Sequence, residues 1–268
     1  MEAYLKDICQ AAKEAGEIMR SVGNQDLGIS EKSSDVDLVT EYDKKIQKFL
    51  IERLSSVLPE AKFMGEENGQ NNFKEEYKKG LLFIIDPIDG TSNFICGYGP
   101  SVTSIGLFKD GKPYIGVIYN PWMDQLFYAQ RGCGAWMNGE EIHTSTKPMR
   151  RSLVIFGTAA YYEDHIVRAS FENALSYMKH CIDIRRSGSA AWDLCQVACG
   201  AAGLYTEPRI QIWDYAAGAL ILMEAGGRLT DLDGKELSFT GPSSVVAASE
   251  GVTKDKYLPK DMGAFPKE

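Results

Sequence analysis

The stretch 81-LLFIIDPIDGTSNF-94 joins an apolar run to two aspartates and a sharp turn. Residues 81–85 are all apolar, which predicts a strand buried on both faces. We expect this strand to end at Pro87, because proline cannot donate a ladder hydrogen bond. Gly90 permits a tight turn and the close approach of a ligand, and Thr91 then begins a helix whose first N–H groups can face an anion.

The stretch also delivers two carboxylates, Asp86 and Asp89, to one place beside this phosphate cradle. The peptide carbonyl of Ile88 lies between them. A ligand set made only of oxygens suits Mg²⁺. Taken alone, the pattern Asp-x-x-Asp-Gly is more often a turn in which the aspartates have no further role.

Two more acidic corners favour the metal site over the plain turn. Glu66 and Glu67 follow a short predicted strand at 62–64, and Asp214 stands at the predicted N-cap of an apolar helix. Each has a simpler alternative, solvation of a loop for the glutamates and helix capping for the aspartate. Three acidic corners at element boundaries together indicate a shared cation site.

The whole chain has the composition of a soluble globular protein, with 268 residues, 44% hydrophobic and 25% charged. No apolar run approaches the length of a membrane span, and the first residues do not resemble a secretory signal, so we expect a cytoplasmic protein without a membrane partner.

The net charge of −8 argues against nucleic-acid binding. An acidic protein that binds phosphate needs cations at its site. The six scattered cysteines and three histidines argue against a disulfide framework, a zinc site or a Ser-His-Asp triad.

Apolar periodicity and turn residues predict an α+β chain with strands and helices in blocks. The predicted helices cover 3–21, about 40–57, 164–179, 189–201 and 214–225. The predicted strands cover 81–85, 153–156, 204–205, 228–231 and 245–248, and antiparallel β-structure runs from 101 to 142 with hairpin turns near 109–111, 120–121 and 138–139. We expect one layered domain over 1–268, with possible sub-lobes of about 1–150 and 151–268.

Three motifs resemble the signatures of the inositol monophosphatase family: GEE at 65–67, DPIDGTSNF at 86–94 and WDYAAGALILMEAGG at 213–227. The likeness extends from about Lys32 to Ala248, in the order and spacing of that family. The resemblance implies a layered αβαβα sandwich, as in the fructose-1,6-bisphosphatases and bisphosphate nucleotidases of the same superfamily. It also implies a lithium-sensitive phosphatase that uses two or three Mg²⁺ ions and forms a homodimer.

The resemblance further implies roles for individual residues. The implied metal ligands are Glu66, Asp86, the carbonyl of Ile88, Asp89 and Asp214. The implied substrate contacts are Asp89, Gly90, Thr91, Gly188, Ser189, Ala190, Glu207 and Asp214, with Glu207 binding hydroxyls of a sugar or inositol. Lys32, Asp43 and Glu67 are implied to belong to a mobile loop and a weaker third metal. Thr40 and Asp43 also fit a helix capping box, and Glu207 alone would pass for a surface acid.

The implied reaction is hydrolysis of a small phosphate monoester, most simply myo-inositol-1-phosphate, by direct in-line attack of a metal-activated water. Glu66, helped by the Thr91 hydroxyl, would orient and deprotonate that water, and Asp86 would bridge the metals. Covalent catalysis by Asp86 is the competing chemistry. It is disfavoured because the motif follows two helices and because the other acidic corners would have no role.

The substrate is less constrained than the reaction. Glu207 favours a polyol ring. The alternatives are fructose-1,6-bisphosphate, 3′-phosphoadenosine 5′-phosphate, histidinol phosphate and NADP. A hypothesis of another class is a regulatory binding partner with little turnover. The segment Cys96-Gly97-Tyr98-Gly99 is richer in glycine than in a standard member of the family, so the resemblance does not define the shape of the nearby pocket or dimer edge.

Overall fold

Helices and sheets alternate in five layers in the computed structural model, which describes residues 3–23, 27–32, 38–68 and 73–254. The helices are α1 Ala3–Arg20, α2 Glu41–Val57, α3 Thr91–Cys96, α4 Asp164–Met178, α5 Ala190–Ala198, α6 Ile212–Glu224 and α7 Glu250–Thr253. The strands are β1 Ser30–Glu31, β2 Leu38–Val39, β3 Lys62–Gly65, β4 Leu81–Asp89, β5 Val102–Lys109, β6 Lys112–Asn120, β7 Gln125–Gln130, β8 Ala135–Met137, β9 Glu140–Ile142, β10 Leu153–Phe156, β11 Asp183–Arg185, β12 Leu204–Ile210, β13 Arg228–Thr230 and β14 Ser243–Ala248.

Two large sheets form the framework. The seven-stranded sheet has the order β3-β4-β5-β6-β7-β8-β9, and all its pairs except β3–β4 are antiparallel. The five-stranded sheet has the order β11-β10-β12-β14-β13, with β10 parallel to both neighbours. β1 and β2 form a separate two-stranded ribbon. The two sheets divide between Ile142 and Leu153, close to the predicted sub-lobe boundary, and the assignment of one domain to 1–268 stays a prediction.

The helices cover the sheets because each presents an apolar surface to them. α1 and α2 pack on one face of the seven-stranded sheet, with Ile8, Ala12 and Met19 fully buried at helical spacing. α5 and α6 lie between the two sheets, and α4 packs on β10, β11 and β12. This order confirms the predicted αβαβα sandwich. No helix in the described part of the chain has the length and apolar character of a membrane span.

α6 is apolar on nearly all sides because it is enclosed by both sheets. It approaches the seven-stranded sheet so closely that a Cβ at Gly116 would lie 2.5 Å from the Ala217 carbonyl oxygen. Only glycine at this position of β6 allows the helix to pack so close to the sheet. The start of α6 is fixed on β5 by the Ser104 hydroxyl, which donates to the Trp213 carbonyl at 3.3 Å.

The helices form where the sequence predicts them, within a few residues at each end, and the antiparallel block and its hairpins are confirmed. The predicted end of the strand at Pro87 is wrong, because β4 continues to Asp89. β3 pairs with β4 only as far as Ile85, so no residue of β3 lies opposite Pro87 and its missing N–H costs no hydrogen bond to that strand. On the other side, Asp86 pairs with Ser104 and Asp89 with Val102, so β4 holds one extra residue in a β-bulge.

A similar irregularity lengthens β12, which the sequence predicts only at 204–205. The strand runs to Ile210, with Glu207 opposite Val245 and Ile210 opposite Ser243. One extra residue is again accommodated, and Pro208 lies inside the bulge. Each bulge therefore contains a proline next to an acid that the sequence predicts at the site.

Candidate active site

A cavity of about 320 Å³ opens where the end of β4, α3, the start of α5 and the bulge of β12 meet. Twelve of the predicted site residues line it: Lys32, Glu66, Asp86, Ile88, Asp89, Gly90, Thr91, Gly188, Ser189, Ala190, Glu207 and Asp214. Asp43 and Glu67 are not among the lining residues. Asp43 lies behind Thr91 and accepts a hydrogen bond from its hydroxyl, and Glu67 lies behind Lys32 and accepts one from its ammonium group.

Three carboxylates converge on one side of the cavity. Asp86, Asp89 and Asp214 each offer an oxygen, and these oxygens lie within 4.8 Å of one another. Burial and the charges of the neighbouring acids raise the pKa of Asp86 and of Asp214 well above the usual range. Burial raises the pKa of Asp89 to about 6. Such a group of acids is unfavourable as bare charges and is stabilised by a cation bound among them.

Local backbone structure explains how these acids meet. The bulge of β4 brings Asp86 and Asp89 to the same end of the strand, and the Ile88 N–H donates to Asp86 Oδ1 at 3.0 Å. Asp214 enters from α6 and is the third residue of the helix, not its N-cap as predicted; the N-cap is Gln211. The Gln211 N–H donates to Asp214 Oδ2 at 2.8 Å, so the carboxylate stabilises the helix start and still faces the cavity.

Asp89 is held by the turn at the start of α5. Its Oδ2 accepts a hydrogen bond from the Ser189 hydroxyl at 2.6 Å and another from the Ala191 N–H at 2.7 Å. These hydrogen bonds favour the charged form and oppose the effect of burial on the pKa of Asp89. They also fix the side-chain rotamer, so the turn before α5 determines where this acid stands.

Glu66 occupies the edge of the acidic group and is paired with Lys32. The Lys32 ammonium lies 2.6 Å from Glu66 Oε1 and 2.7 Å from Glu67 Oε1. Burial raises the pKa of Glu66, and the charge of Lys32 opposes that rise. Lys32 itself has a raised pKa, because the two glutamates outweigh the effect of its burial. Lys32 therefore remains protonated at neutral pH and supplies positive charge to the cavity.

The capping box predicted at the start of α2 is present and is connected to the cavity. Asp43 Oδ2 accepts from the Thr40 N–H at 2.8 Å and from its hydroxyl at 2.6 Å. The Thr91 hydroxyl lies 3.4 Å from Asp43 Oδ1 and donates to the Ile88 carbonyl at 3.1 Å. Burial raises the pKa of Asp43 to about 6. The role of Asp43 in holding a third metal stays a prediction.

Glu207 also lines the cavity, and its charge acts on Asp89 and Asp214. It is 8% exposed, and its Oε2 accepts from the Tyr205 hydroxyl at 2.6 Å. Burial raises its pKa to about 7, and the Tyr205 hydrogen bond limits that rise. Gly157 leaves room for this carboxylate, since a Cβ there would lie 1.9 Å from Oε2. The predicted alternative of a surface acid does not hold for a buried side chain.

Three buried polar residues at the cavity were not predicted: Asn93, Thr158 and Asp193. Asn93 belongs to the quoted stretch, and its amide donates to the carbonyls of Pro100 and Ser187. Asp193 lies in α5, is 3% exposed and lines the cavity. The available signal for Asp193 was an acid inside the mostly apolar helix AAWDLCQVA. Asn93 is a polar residue in the first turn of a short helix. This pattern is too common to identify Asn93 as a site residue.

The donor set of the cavity fits a hard divalent cation. The cavity is lined by several carboxylates and by Ile88, whose carbonyl is a further oxygen ligand. The described lining residues include no histidine or cysteine. A layered αβαβα fold with such an oxygen-rich cavity, beside a left-handed glycine and the first turn of α3, defines a class of metal-dependent phosphatases.

Comparison with known proteins agrees with this class. The model of the inositol monophosphatase family matches residues 1–261. Inositol monophosphatase 2 of Solanum lycopersicum is 38% identical, over 96% of this chain and 97% of the relative. The inositol-1-monophosphatase of Bacillus subtilis is 35% identical, over 92% and 93%. The crystal structure of the extragenic suppressor protein suhB from Bartonella henselae superposes with a TM-score of 0.84 at 34% identity, covering 93% of this chain and 95% of that one.

The chain therefore belongs to the inositol monophosphatase family. It is a phosphoric monoester hydrolase of a metal-dependent family.

Proposed function

We propose that the protein hydrolyses myo-inositol-1-phosphate to inositol and phosphate in a Mg²⁺-dependent reaction. The observation that carries the proposal is that the grouped carboxylates of Asp86, Asp89 and Asp214 and the buried carboxylate of Glu207 line one cavity. The grouped acids suit a cation and, with it, a phosphate, and Glu207 suits the hydroxyls of a ring. The relatives named inositol monophosphatase support the same substrate.

The residues that would hold Mg²⁺ are Glu66, Asp86, Asp89, Asp214 and the carbonyl oxygen of Ile88. When bound, the metal supplies positive charge that offsets the charge of the phosphoryl group and lowers the pKa of water. Burial of the acids keeps solvent away and strengthens these electrostatic interactions.

The proton chemistry falls to Glu66. Burial raises its pKa, which makes its carboxylate a better proton acceptor than an exposed glutamate. In the proposed reaction Glu66 takes a proton from the attacking water, and Lys32 holds the Glu66 side chain in place. The Thr91 hydroxyl, already anchored at the Ile88 carbonyl, orients the same water.

Binding of the substrate falls to the turn at Gly90 and to Glu207. Gly90 has a φ of +90°, which directs the N–H groups of Thr91 and Ser92 ahead of the first turn of α3. The buried Glu207 would accept hydrogen bonds from substrate hydroxyls, and Tyr205 fixes its orientation. Tyr162, which lines the cavity, also donates to Glu207 Oε1 at 3.4 Å, so substrate hydroxyls would add to the partners of this carboxylate.

Cavity size and charge distinguish among the alternative substrates. A volume of about 320 Å³ is at the low end for small-molecule sites and suits a single ring with one phosphate. Lys32 and Arg186 are the two cations among the described lining residues, and Lys32 is engaged by two glutamates. A second phosphate would thus meet Arg186 and a surplus of acids. This disfavours fructose-1,6-bisphosphate, 3′-phosphoadenosine 5′-phosphate and NADP, and histidinol phosphate remains the strongest alternative.

The test is release of phosphate from all five compounds, with Mg²⁺, with EDTA, and with Mg²⁺ plus millimolar Li⁺. We expect the highest kcat/KM on myo-inositol-1-phosphate, loss of activity with EDTA and inhibition by Li⁺. Faster release from another compound would overturn the substrate and keep the reaction. No release from any of them would favour the regulatory binding partner. We also propose a homodimer in the cytoplasm; a monomeric mass in light scattering would contradict the dimer.

A further inference from the structure

Asn93 lines the cavity and lies where three segments of the chain meet. Its Nδ2 donates to the Pro100 carbonyl at 2.6 Å and to the Ser187 carbonyl at 2.9 Å. The side chain is 9% exposed. One amide therefore joins α3, the loop at 97–100 and the turn before α5. The Asn93 carbonyl also accepts the Tyr98 N–H at 2.9 Å, so the same residue fixes the loop through its main chain.

The amide is closely surrounded by two glycines. A Cβ built at Gly188 would lie 3.3 Å from both Asn93 Nδ2 and Oδ1, and one at Gly90 would lie 3.4 Å from Nδ2. Both glycines have a positive φ, which side chains larger than glycine rarely adopt. Asn93 thus lies between two tightly turned segments that also meet each other, since a Cβ at Gly90 would lie 3.2 Å from the Ser189 Cβ.

The turn that Asn93 holds is also the one that positions Asp89. The Ser187 hydroxyl accepts the Ser189 N–H at 3.0 Å, the Ser189 hydroxyl donates to Asp89 Oδ2, and the Ala191 N–H donates to the same oxygen. Ser187 and Ser189, each hydrogen-bonded to the next residue in the series, therefore connect the Asn93 amide to the carboxylate of Asp89. Asn93 does not itself belong to the acidic group.

We propose that Asn93 is a positioning residue, which sets the orientation of Asp89 by fixing the 187–191 turn against α3. The inference rests on the proposed function for the role of Asp89 at the reacting centre. Without the amide, the Pro100 and Ser187 carbonyls lose their shared donor and the turn is free to move. A displacement of about 1 Å at a catalytic group is enough to lower a rate by about 100-fold.

The experiment compares Asn93→Ala, Asn93→Asp and the control Asn138→Gly. Asn93→Asp keeps the shape of the side chain and replaces the donating NH₂ with an oxygen. Asn138 also bridges backbone segments through its amide, accepting the Leu126 N–H and donating to the Asp124 carbonyl, both at 2.8 Å, and it does not line the cavity. Glycine suits its positive φ of 51°.

The first measurement is hydrogen–deuterium exchange of residues 187–191 in metal-free protein. We expect exchange in this segment to rise about tenfold in both Asn93 variants and to stay unchanged in the control, as loss of a local hydrogen-bond anchor implies. The second measurement is turnover of myo-inositol-1-phosphate at saturating Mg²⁺. We expect kcat to fall about 100-fold in both Asn93 variants, with KM within about threefold of the wild type, since Glu207 and Gly90 keep their places.

Unchanged exchange at 187–191 in a folded Asn93→Asp variant would overturn the proposal, and so would faster exchange with unaltered kcat. If neither Asn93 variant folds while Asn138→Gly does, Asn93 is a residue of the folding core and the proposal is wrong. A wild-type protein that releases no phosphate from any compound defeats the proposed function instead. The exchange measurement then still decides whether Asn93 fixes the turn.

Discussion

The burial of Glu207 predicts that a substitution at the site will stabilise the metal-free protein. The pKa of Glu207 rises from 4.5 to about 7, mainly because the side chain is buried. Because this pKa is higher in the folded than in the unfolded state, protonated Glu207 contributes fully to the free energy of unfolding below pH 4.5. That contribution is lost as the pH rises through 7. At about 1.36 kcal/mol per pKa unit, the cost of the charged form at pH 8 is about 3 kcal/mol. Glu207→Gln removes that cost and keeps the shape of the side chain.

The assay is thermal unfolding in EDTA at pH 4.5 and at pH 8. For a chain of this length about 3 kcal/mol corresponds to a rise of about 5–10 °C in Tm. We expect that rise for Glu207→Gln at pH 8 and little difference from the wild type at pH 4.5, where both side chains are largely neutral. The control is Glu163→Gln, at an exposed glutamate 3.7 Å from Arg209, which should leave Tm nearly unchanged. A Tm difference for Glu207→Gln that is equal at both pH values would refute the reasoning.

The remaining predictions concern catalysis. Asp89→Asn should lower kcat by about three orders of magnitude at saturating Mg²⁺, because the electrostatic stabilisation of the site depends on this acid; near-normal turnover would contradict its role. Lys32→Met should move the acidic limb of the pH profile of kcat/KM to higher pH, because the ammonium holds down the pKa of Glu66, and an unmoved limb would show that Glu66 is not the base. Gly157→Ala should raise KM about tenfold with little change in kcat, because its Cβ would lie 1.9 Å from Glu207 Oε2 and displace that carboxylate. An unchanged KM on myo-inositol-1-phosphate would argue that Glu207 does not bind the substrate.

Most of the fold can be predicted from local patterns in the sequence. The strand ends that were predicted wrongly have a common cause. The apolar spacing of α1, the caps of α2 and the glycines after α6 predict helices that the structure contains. The two wrong strand ends both involve a proline, Pro87 and Pro208. Proline ends a strand when a neighbour needs its N–H, and here each proline lies in a bulge. Whether a neighbouring strand is present depends on tertiary pairing, which local sequence does not contain.

The acids of the cavity were predictable because they stand at element boundaries in recognisable motifs. The contacts that orient them were not. Ser189 reaches Asp89 across 100 positions of the chain, and Lys32 reaches Glu66 across 34. Nothing in the local pattern around Asn93 specifies that its amide will meet the Ser187 carbonyl. Such pairings depend on how two sheets dock, and only the folded structure defines them.

The position of α6 between the sheets has a consequence for the order of events in folding. This helix packs on β4, β5 and β6 of one sheet and on β13 of the other, and its first turn carries Asp214. Asp214 thus joins Asp86 and Asp89 only after the helix has docked on the seven-stranded sheet. During refolding, backbone circular dichroism should recover ahead of metal binding, and metal binding should appear together with the docked helical layer. Bound metal then reports the assembly of the protein's interior as well as the readiness of its site.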